Sequence, residues 1–411
     1  MAQGLAPPRG RRDAARPGPR RMRQNDGMDV NAATPLLGGL SPAAFMRRHW
    51  QKKPLLVRQA WPGVQPPLPR PALFALAGRE GVESRLVQRR GADVADGRSW
   101  QVRHGPLPPR ALPPQSRPGW TLLVQGLDLH VPAAHEMLSR FRFVPDARLD
   151  DLMVSWASDT GGVGPHVDAY DVFLIQVQGR RRWRVSPPAR GGEPPWVPDA
   201  PLKLLRSFEP TMDWVLEPGD MLYLPPNWGH DGTAVGGDCM TCSVGFRVPS
   251  AGELARELLL RLSEDEGAPT LYRDPKQPAT AQPGAIPPAL EAFARQALQR
   301  HLADPQALPR ALGELLTEPK PKVWFDSRDA LGAADAGAGL QLDARTRMAY
   351  DARHVFVNGE SFLAAGRDAR LMRSLADARR LSARERAALS AGACALIEDW
   401  RAAGWLHEVP A

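Results

Sequence analysis

The sequence predicts an α+β protein: an antiparallel β sandwich or barrel, then a helical stretch, then a small module of mixed strands and helices. Three observations carry this. From Asp150 to Phe246 the chain is dense in short β-rich runs bounded by Gly, Pro, Asn or Asp. After Pro249 the apolar residues recur at helical spacing. From about Val323 strand-like and helix-like runs mix, as in a small winged-helix-like module.

Residues 1–27 hold seven arginines against Asp13 and Asp26, so this head carries +5 of the net charge of +8. It is rich in Pro, Gly and Arg and lacks apolar periodicity, so residues 1–40 are expected to be disordered. One reading is an RNA-contacting arm. The plainer one is an extension ahead of a start at Met22 or Met28. The body is only mildly basic, which gives no argument from charge for a nucleic-acid surface. No run approaches the roughly 18 apolar residues of a membrane span. No signal-peptide core opens the chain. Three cysteines make no disulfide framework. The expected compartment is the cytoplasm.

Ser41-Pro42 reads as the capped start of a short helix, and Lys52 to Gly63 as a strand ending in a turn. Residues 64–120 hold many prolines between pieces such as SRLVQRR and SWQVRHG, which favours β structure with long loops over helices. Then come LMVSW, DVFLIQV, RRWRV, DWVLE, DMLYLP and MTCSVGF, each expected as a strand. Leu254, Leu258 and Leu262 mark one helix. Leu290, Phe293, Ala294, Ala297 and Leu298 form the stripe of another, able to pack on its own barrel or on another chain. Residues 347–362 read as a hairpin with a tight turn at Asn358-Gly359. Ser382 to Glu385 is a capping box expected to open a helix carrying Leu389, Ala393, Leu396, Ile397 and Trp400. No dense basic recognition helix appears there, so the module is expected to pack rather than read DNA.

The chemistry concentrates around His166 and Asp168. Residues i and i+2 of a strand face the same way, with Cα atoms roughly 6.5 Å apart. That suits two side chains converging on one metal ion. His230, expected at the end of a strand after a Pro-Pro-Asn-Trp turn, supplies a third ligand. Two histidines and one carboxylate on a β scaffold are the donor set of non-haem Fe(II) oxygenases, which leaves positions for a 2-oxo acid and dioxygen. A 2-oxoglutarate co-substrate would need a cation for its far carboxylate. Arg180, Arg181 and Arg182 lie on the following strand, and alternation lets only one or two point inward. No His-Glu-x-x-His pattern is present, against a helical zinc protease site. Cys239 and Cys242 are spaced like a metal or redox pair, but i and i+3 of a strand face opposite sides. They are expected as one core and one surface residue.

The order LMVSW, GGVGPHVDAYDVFLIQVQGRRRWRV, EPGDMLYLPPNWGH, CSVGFR resembles the JmjC-type cupin oxygenases, and more narrowly the bacterial ribosomal oxygenases. HWQKKPLLVR, SRLVQRR and WQVRHGP match that subfamily too, so the resemblance runs from Ser41 to the C-terminus. It implies a double-stranded β-helix (jelly-roll, cupin) barrel over residues 41–249. A helical dimerisation region (250–320) and a winged-helix-like module (321–411) would follow, in a homodimer without specific DNA binding. It implies Fe(II) held by His166, Asp168 and His230. It places Arg181 on the far carboxylate of 2-oxoglutarate and has Ser155 helping to bind the same co-substrate. Asp151, Tyr170 and Ser243 fall where the family holds its substrate side chain. The implied activity is 3-hydroxylation, with dioxygen, of one arginine in large-subunit ribosomal protein sixteen. An acidic Asp151 beside an aromatic Tyr170 suits a guanidinium. The alternatives are a related oxygenase acting on another protein or on tRNA, and a non-catalytic cupin/winged-helix regulator.

Overall fold

The computed structural model describes residues 29–91, 96–189, 196–264, 270–326 and 337–410. Most of the expected disordered head, residues 1–28, lies outside them. Within 29–40 the chain is ordered: Thr34 caps a single 3-10 turn at Pro35–Leu37, and Leu37 is fully buried. The extension therefore ends before residue 40.

Helix α1 (Pro42–Arg48) starts as expected, with the Ser41 hydroxyl accepting from Ala44 N–H. β1 (Leu55–Val57) follows. The stretch expected to be purely β contains a helix, α2 (Arg70–Leu76). Pro71 occupies its first turn, where no N–H is needed, and Leu73, Phe74 and Leu76 are buried. β2 (Ser84–Arg89), β3 (Trp100–His104) and β4 (Trp120–Val124) come next, then α3 (Pro132–Ser139) and β5 (Leu149–Ala157).

DVFLIQV and RRWRV are not two strands but one, β6 (Asp171–Ser186). β7 (Met212–Leu216) and β8 (Met221–Leu224) lead into β9 (Gly229–Phe246), which joins the His230 region and MTCSVGF into one strand. β6 and β9 pair antiparallel along almost their full length and form the spine of the barrel. The large sheet runs β1-β8-β6-β9-β5-β4-β2-β3, and the second half of β6 also pairs with β7. The spine bends where its register shifts between Gln176 and Arg180. Gly179 sits there at φ +63°, and a Cβ on it would lie 2.8 Å from the Asp238 carbonyl oxygen. The buried Gln176 side chain donates to the carbonyls of Gln178 (2.7 Å) and Gly179 (3.1 Å) and so braces the irregular stretch.

The outer face of the large sheet is covered by the N-terminal segment and α3. Phe45, Phe141, Phe173, Tyr223 and Phe246 form a fully buried aromatic cluster there. Covering both faces overturns the expected split of the cysteines: Cys239 and Cys242 are both buried.

The helical stretch holds α4 (Ala251–Glu264), α5 (Pro288–His301) and α6 (Ala307–Thr317). α6 also packs on the C-terminal module, where Gly313 admits the ring of Phe356. That module opens with β10 (Gly339–Leu342). The expected hairpin is a three-stranded meander, β11 (Met348–Tyr350), β12 (His354–Val357) and β13 (Glu360–Leu363). Its second turn has Asn358 and Gly359 at φ 49° and 91°, the two positive values a tight hairpin turn demands. α7 (Gly366–Ala378) and β14 (Arg380–Leu381) follow. The Ser382 capping box is present, but it opens only α8 (Ala383–Arg386). The apolar face belongs to a separate helix, α9 (Ala391–Ala402), before β15 (Leu406–Val409). The break arises at Ser390, whose hydroxyl caps Ala393 N–H while Asp368 accepts from its own N–H and O–H. Among the described residues no helix is long and apolar enough to cross a membrane.

Candidate metal centre and co-substrate cavity

His166 and Asp168 do not stand on a regular strand; β6 begins only at Asp171. Backbone bonds fix them instead. His166 N–H donates to the His230 carbonyl (3.0 Å), and His230 N–H donates back to His166 (2.9 Å). His230 is the second residue of β9 rather than the last of the strand before it. The turn ahead of it supplies a third clamp, Asn227 N–H to the Asp168 carbonyl (2.7 Å), with Asn227 at φ 64°. The Pro-Pro-Asn-Trp turn thus locks both legs of the site together.

The ligand atoms of His166, Asp168 and His230 all lie within 4.8 Å of one another. Asp168 Oδ2 is 3.9 Å from His166 Nε2 and 3.5 Å from His230 Nε2. Each imidazole places Nδ1 on a backbone carbonyl, Gly164 at 2.8 Å and Trp228 at 2.9 Å. With Nδ1–H as donor, both Nε2 lone pairs are left for a cation. Burial and the neighbouring His230 lower the His166 pKa. Burial also disfavours the charged form of His230, but its hydrogen bond and attraction to Asp168 outweigh this and raise its pKa. Burial pushes the Asp168 carboxyl up, yet the two histidines and the Tyr170 hydroxyl outweigh it and hold it at about 2. An ionised carboxylate beside two imidazole nitrogens fits a divalent transition metal, Fe(II) included.

These three residues line a cavity of about 450 Å³, within the usual range for small-molecule sites. Arg181, Ser155, Asp151, Tyr170 and Ser243 line the same cavity, so all eight residues singled out in the sequence meet in one place. The arginine triplet separates cleanly. Arg180 is exposed, and Arg182 points to solvent and pairs with Asp213 at 2.5 Å. Arg181 is 4% exposed. Its Nε faces Cys239 Sγ at 3.4 Å, and its buried Nη2 has no hydrogen-bond partner. A buried guanidinium without a carboxylate is costly, and the carboxylate of a bound diacid would remove that cost. Ser155 on β5 and Ser243 on β9 are buried on adjacent paired strands.

Asp150 and Asp151 sit where the β5–β9 register shifts, a bulge that re-aims side chains. Asp151 Oδ2 accepts from Gly126 N–H at 2.9 Å. Tyr170 is 40% exposed at the cavity mouth with its hydroxyl on Asp168. Sequence reading missed Arg85, Gln125 and Lys203, which also line the cavity. Arg85 lies in SRLVQRR, recognised only as a strand, and period-2 alternation alone does not say which face of an early strand looks inward.

Residues 136–254 match the family model of the JmjC domain, and residues 300–407 match that of the ROXA-like winged helix. The chain is 34% identical over 324 residues to the ribosomal protein uL16 3-hydroxylase of Escherichia coli, covering 77% of this chain and 84% of that protein. It is 36% identical over 217 residues to a probable ribosomal oxygenase of Haemophilus influenzae, 52% of each chain. An X-ray structure of E. coli YcfD superposes with a TM-score of 0.76 at 29% identity, covering 89% of this chain and 97% of that one. A structure of YcfD, a ribosomal oxygenase, in complex with cobalt and 2-oxoglutarate gives a TM-score of 0.74 at 29% identity, covering 90% and 98%. With a shared barrel, a shared C-terminal module and a His-Asp-His cluster in its cavity, this chain belongs to the JmjC-type cupin oxygenases, in the bacterial ribosomal oxygenase family.

Proposed function

We propose that this protein is an Fe(II)- and 2-oxoglutarate-dependent hydroxylase that acts on an arginine of ribosomal protein uL16. The observation that carries this is the buried Arg181 guanidinium, whose Nη2 has no hydrogen-bond partner among the described residues, in the same cavity as His166, Asp168 and His230. His166, Asp168 and His230 would hold the iron. Arg181 would take the far carboxylate of 2-oxoglutarate, with the Ser155 hydroxyl as a further donor. When bound, iron with 2-oxoglutarate and dioxygen supplies the oxidising power to place a hydroxyl on an unactivated carbon. The protein's part is geometry. Asp151 offers a carboxylate to the substrate guanidinium, Tyr170 a ring and Ser243 a hydroxyl. Holding the arginine at its far end would present its β-carbon to the metal side of the cavity. The Tyr170 hydroxyl steadies Asp168, so substrate and metal sites share a wall.

The catalytic unit would span residues 41–249, with a helical dimerisation region over 250–320 and the winged-helix module over 321–411. Leu259 and Leu260 of α4 and Leu290 and Leu298 of α5 are exposed, which supports a homodimer closed through these helices. The winged-helix module is read as a packing element rather than a DNA reader: Arg142 of the barrel donates to the carbonyls of Ala376 and Asp377 at the end of α7. A ribosomal substrate supports a cytoplasmic site of action.

The test is intact-mass analysis of uL16 incubated with the enzyme, iron and 2-oxoglutarate. One added oxygen atom on uL16 is expected with the wild type, and none with His166→Ala or Asp168→Ala. Undiminished peptide-coupled turnover in either variant would remove the assignment of the centre. Loss of a methyl mass from another protein would replace hydroxylation with demethylation.

A further inference from the structure

Asp150 and Asp151 form part of a wall between two cavities. Both line the main cavity with the metal residues. Behind the wall lies a smaller one, of about 80 Å³, at the junction of barrel and C-terminal module. Asp128, Asp150, Lys320 and Arg347 line it. Lys320 is absent from the lining of the main cavity. Its ammonium stands behind the wall, 2.9 Å from Asp150 Oδ1 and 3.3 Å from Asp151 Oδ2.

We propose that Lys320 is a positioning residue for substrate capture: carried in by the C-terminal half of the chain, it keeps Asp151 ionised to receive the substrate guanidinium. This rests on the functional reading above. Lys320 lies three residues beyond the end of α6, and that end is tied to the meander. Thr317 Oγ accepts from Gly359 N–H at 3.2 Å, and Ser361 Oγ donates to Glu314 at 2.6 Å. A plug imitating the substrate would sit in the main cavity; Lys320 approaches from the opposite side, which leaves the cavity face of Asp151 free.

The titratable groups around Asp151 give this cation its role. Asp150 is its neighbour on β5, and Asp128 faces it from the turn after β4. Tyr170 approaches from the cavity. Arg247 is engaged by Asp150 at 3.1 Å; Arg347 donates to the Asp150 carbonyl at 3.5 Å and its charge is also felt by Asp151, but it makes no ion pair with it among the described residues. Burial and Asp150 raise the Asp151 carboxyl above the ordinary carboxylate range, and Lys320 is the cation that opposes them. Without Lys320 the carboxyl takes up a proton more readily, and a neutral acid holds a guanidinium poorly.

The experiment measures KM and kcat for a uL16 peptide, and KM for 2-oxoglutarate, as a function of pH across the range in which the enzyme stays folded. The enzymes are the wild type, Lys320→Met, Lys320→Gln and Lys320→Arg. Lys320→Met and Lys320→Gln are expected to raise the peptide KM about tenfold near neutrality, the scale of one charge-assisted contact. That KM should fall again as pH rises and Asp151 loses its proton. The peptide kcat and the 2-oxoglutarate KM should stay within about twofold, since neither depends on this contact, and Lys320→Arg should track the wild type. A peptide KM unchanged across the pH range in both neutral variants overturns the proposal. So do parallel losses in kcat and 2-oxoglutarate affinity without pH dependence, which mark a merely structural contact. If Lys320→Met does not fold, Lys320→Gln, one atom shorter but still carrying N–H donors without the charge, decides alone. A wild-type enzyme that consumes 2-oxoglutarate but leaves uL16 unmodified refutes the functional reading instead.

Discussion

Replacing Arg181 with methionine should lower 2-oxoglutarate affinity without lowering the stability of the empty protein. Arg181 is 4% exposed, and its Nη2 has no partner among the described residues. In the empty protein this charge is a burden, so an unbranched, shorter apolar side chain is expected to leave the melting temperature equal or higher. In the complex the guanidinium gains a carboxylate. Charge-assisted bonds of this kind contribute about 1.5–3 kcal/mol, so affinity should fall by about 10- to 150-fold. A thermal-shift titration reads both effects. At a concentration of about 100 times the wild-type Kd, bound ligand stabilises by about 2.7 kcal/mol, and a hundredfold weaker variant retains only about 0.4 kcal/mol. The titration is done anaerobically with ferrous iron, so that no turnover occurs. Unchanged 2-oxoglutarate stabilisation in Arg181→Met would refute the assignment. A large loss of stability in the empty protein would refute the premise that the guanidinium is unpaired.

Two further predictions concern the scaffold. Burial, with Asp151 adding to it, pushes the Asp128 carboxyl from 3.8 to about 7. The folded state therefore holds a proton that the unfolded chain releases first. Its contribution to stability is complete below about pH 4 and is lost as pH rises towards 7, at most about 4 kcal/mol in all. Asp128→Asn keeps the acceptor for Leu152 N–H and removes the titration, so denaturant midpoints of variant and wild type should diverge with rising pH, the variant being more stable near neutrality. Parallel midpoints from pH 4 to 7 would count against a buried neutral Asp128. Gly179→Ala places a side chain at φ +63°, with a Cβ 2.8 Å from the Asp238 carbonyl oxygen, and should cost about 1–3 kcal/mol in urea unfolding. An unchanged midpoint would show that the bulge relaxes freely.

The order of the chain's large units was legible because it depends on local signals. Ser41, Ser382 and the Asn358-Gly359 turn act through bonds to residues two to four positions away, and each does what its local chemistry dictates. The metal centre was legible for a different reason: a histidine and a carboxylate two residues apart, with a second histidine after a Pro-Pro-Asn-Trp turn, form a specific constellation. Continuity of strands was not legible. β6 reads as two strands because Gly179 interrupts the apolar pattern, yet long-range pairing to β9 carries it through.

What the sequence by itself determined, then, is the set of ligands and the class of chemistry, because residue type and short spacing suffice for these. Tertiary structure alone decided which arginine turns inward. A bulge resets strand parity between the expected first strand and the triplet, so alternation counted from Val172 says nothing about Arg181. It alone buried both Cys239 and Cys242, since each face of the sheet found a cover only on folding. And it alone brought Lys320 to Asp151, some 170 residues away along the chain, just beyond the end of α6, which packs on α4 and the meander. Such a contact rests on burial and charge at a junction between folded units, and no local pattern encodes it.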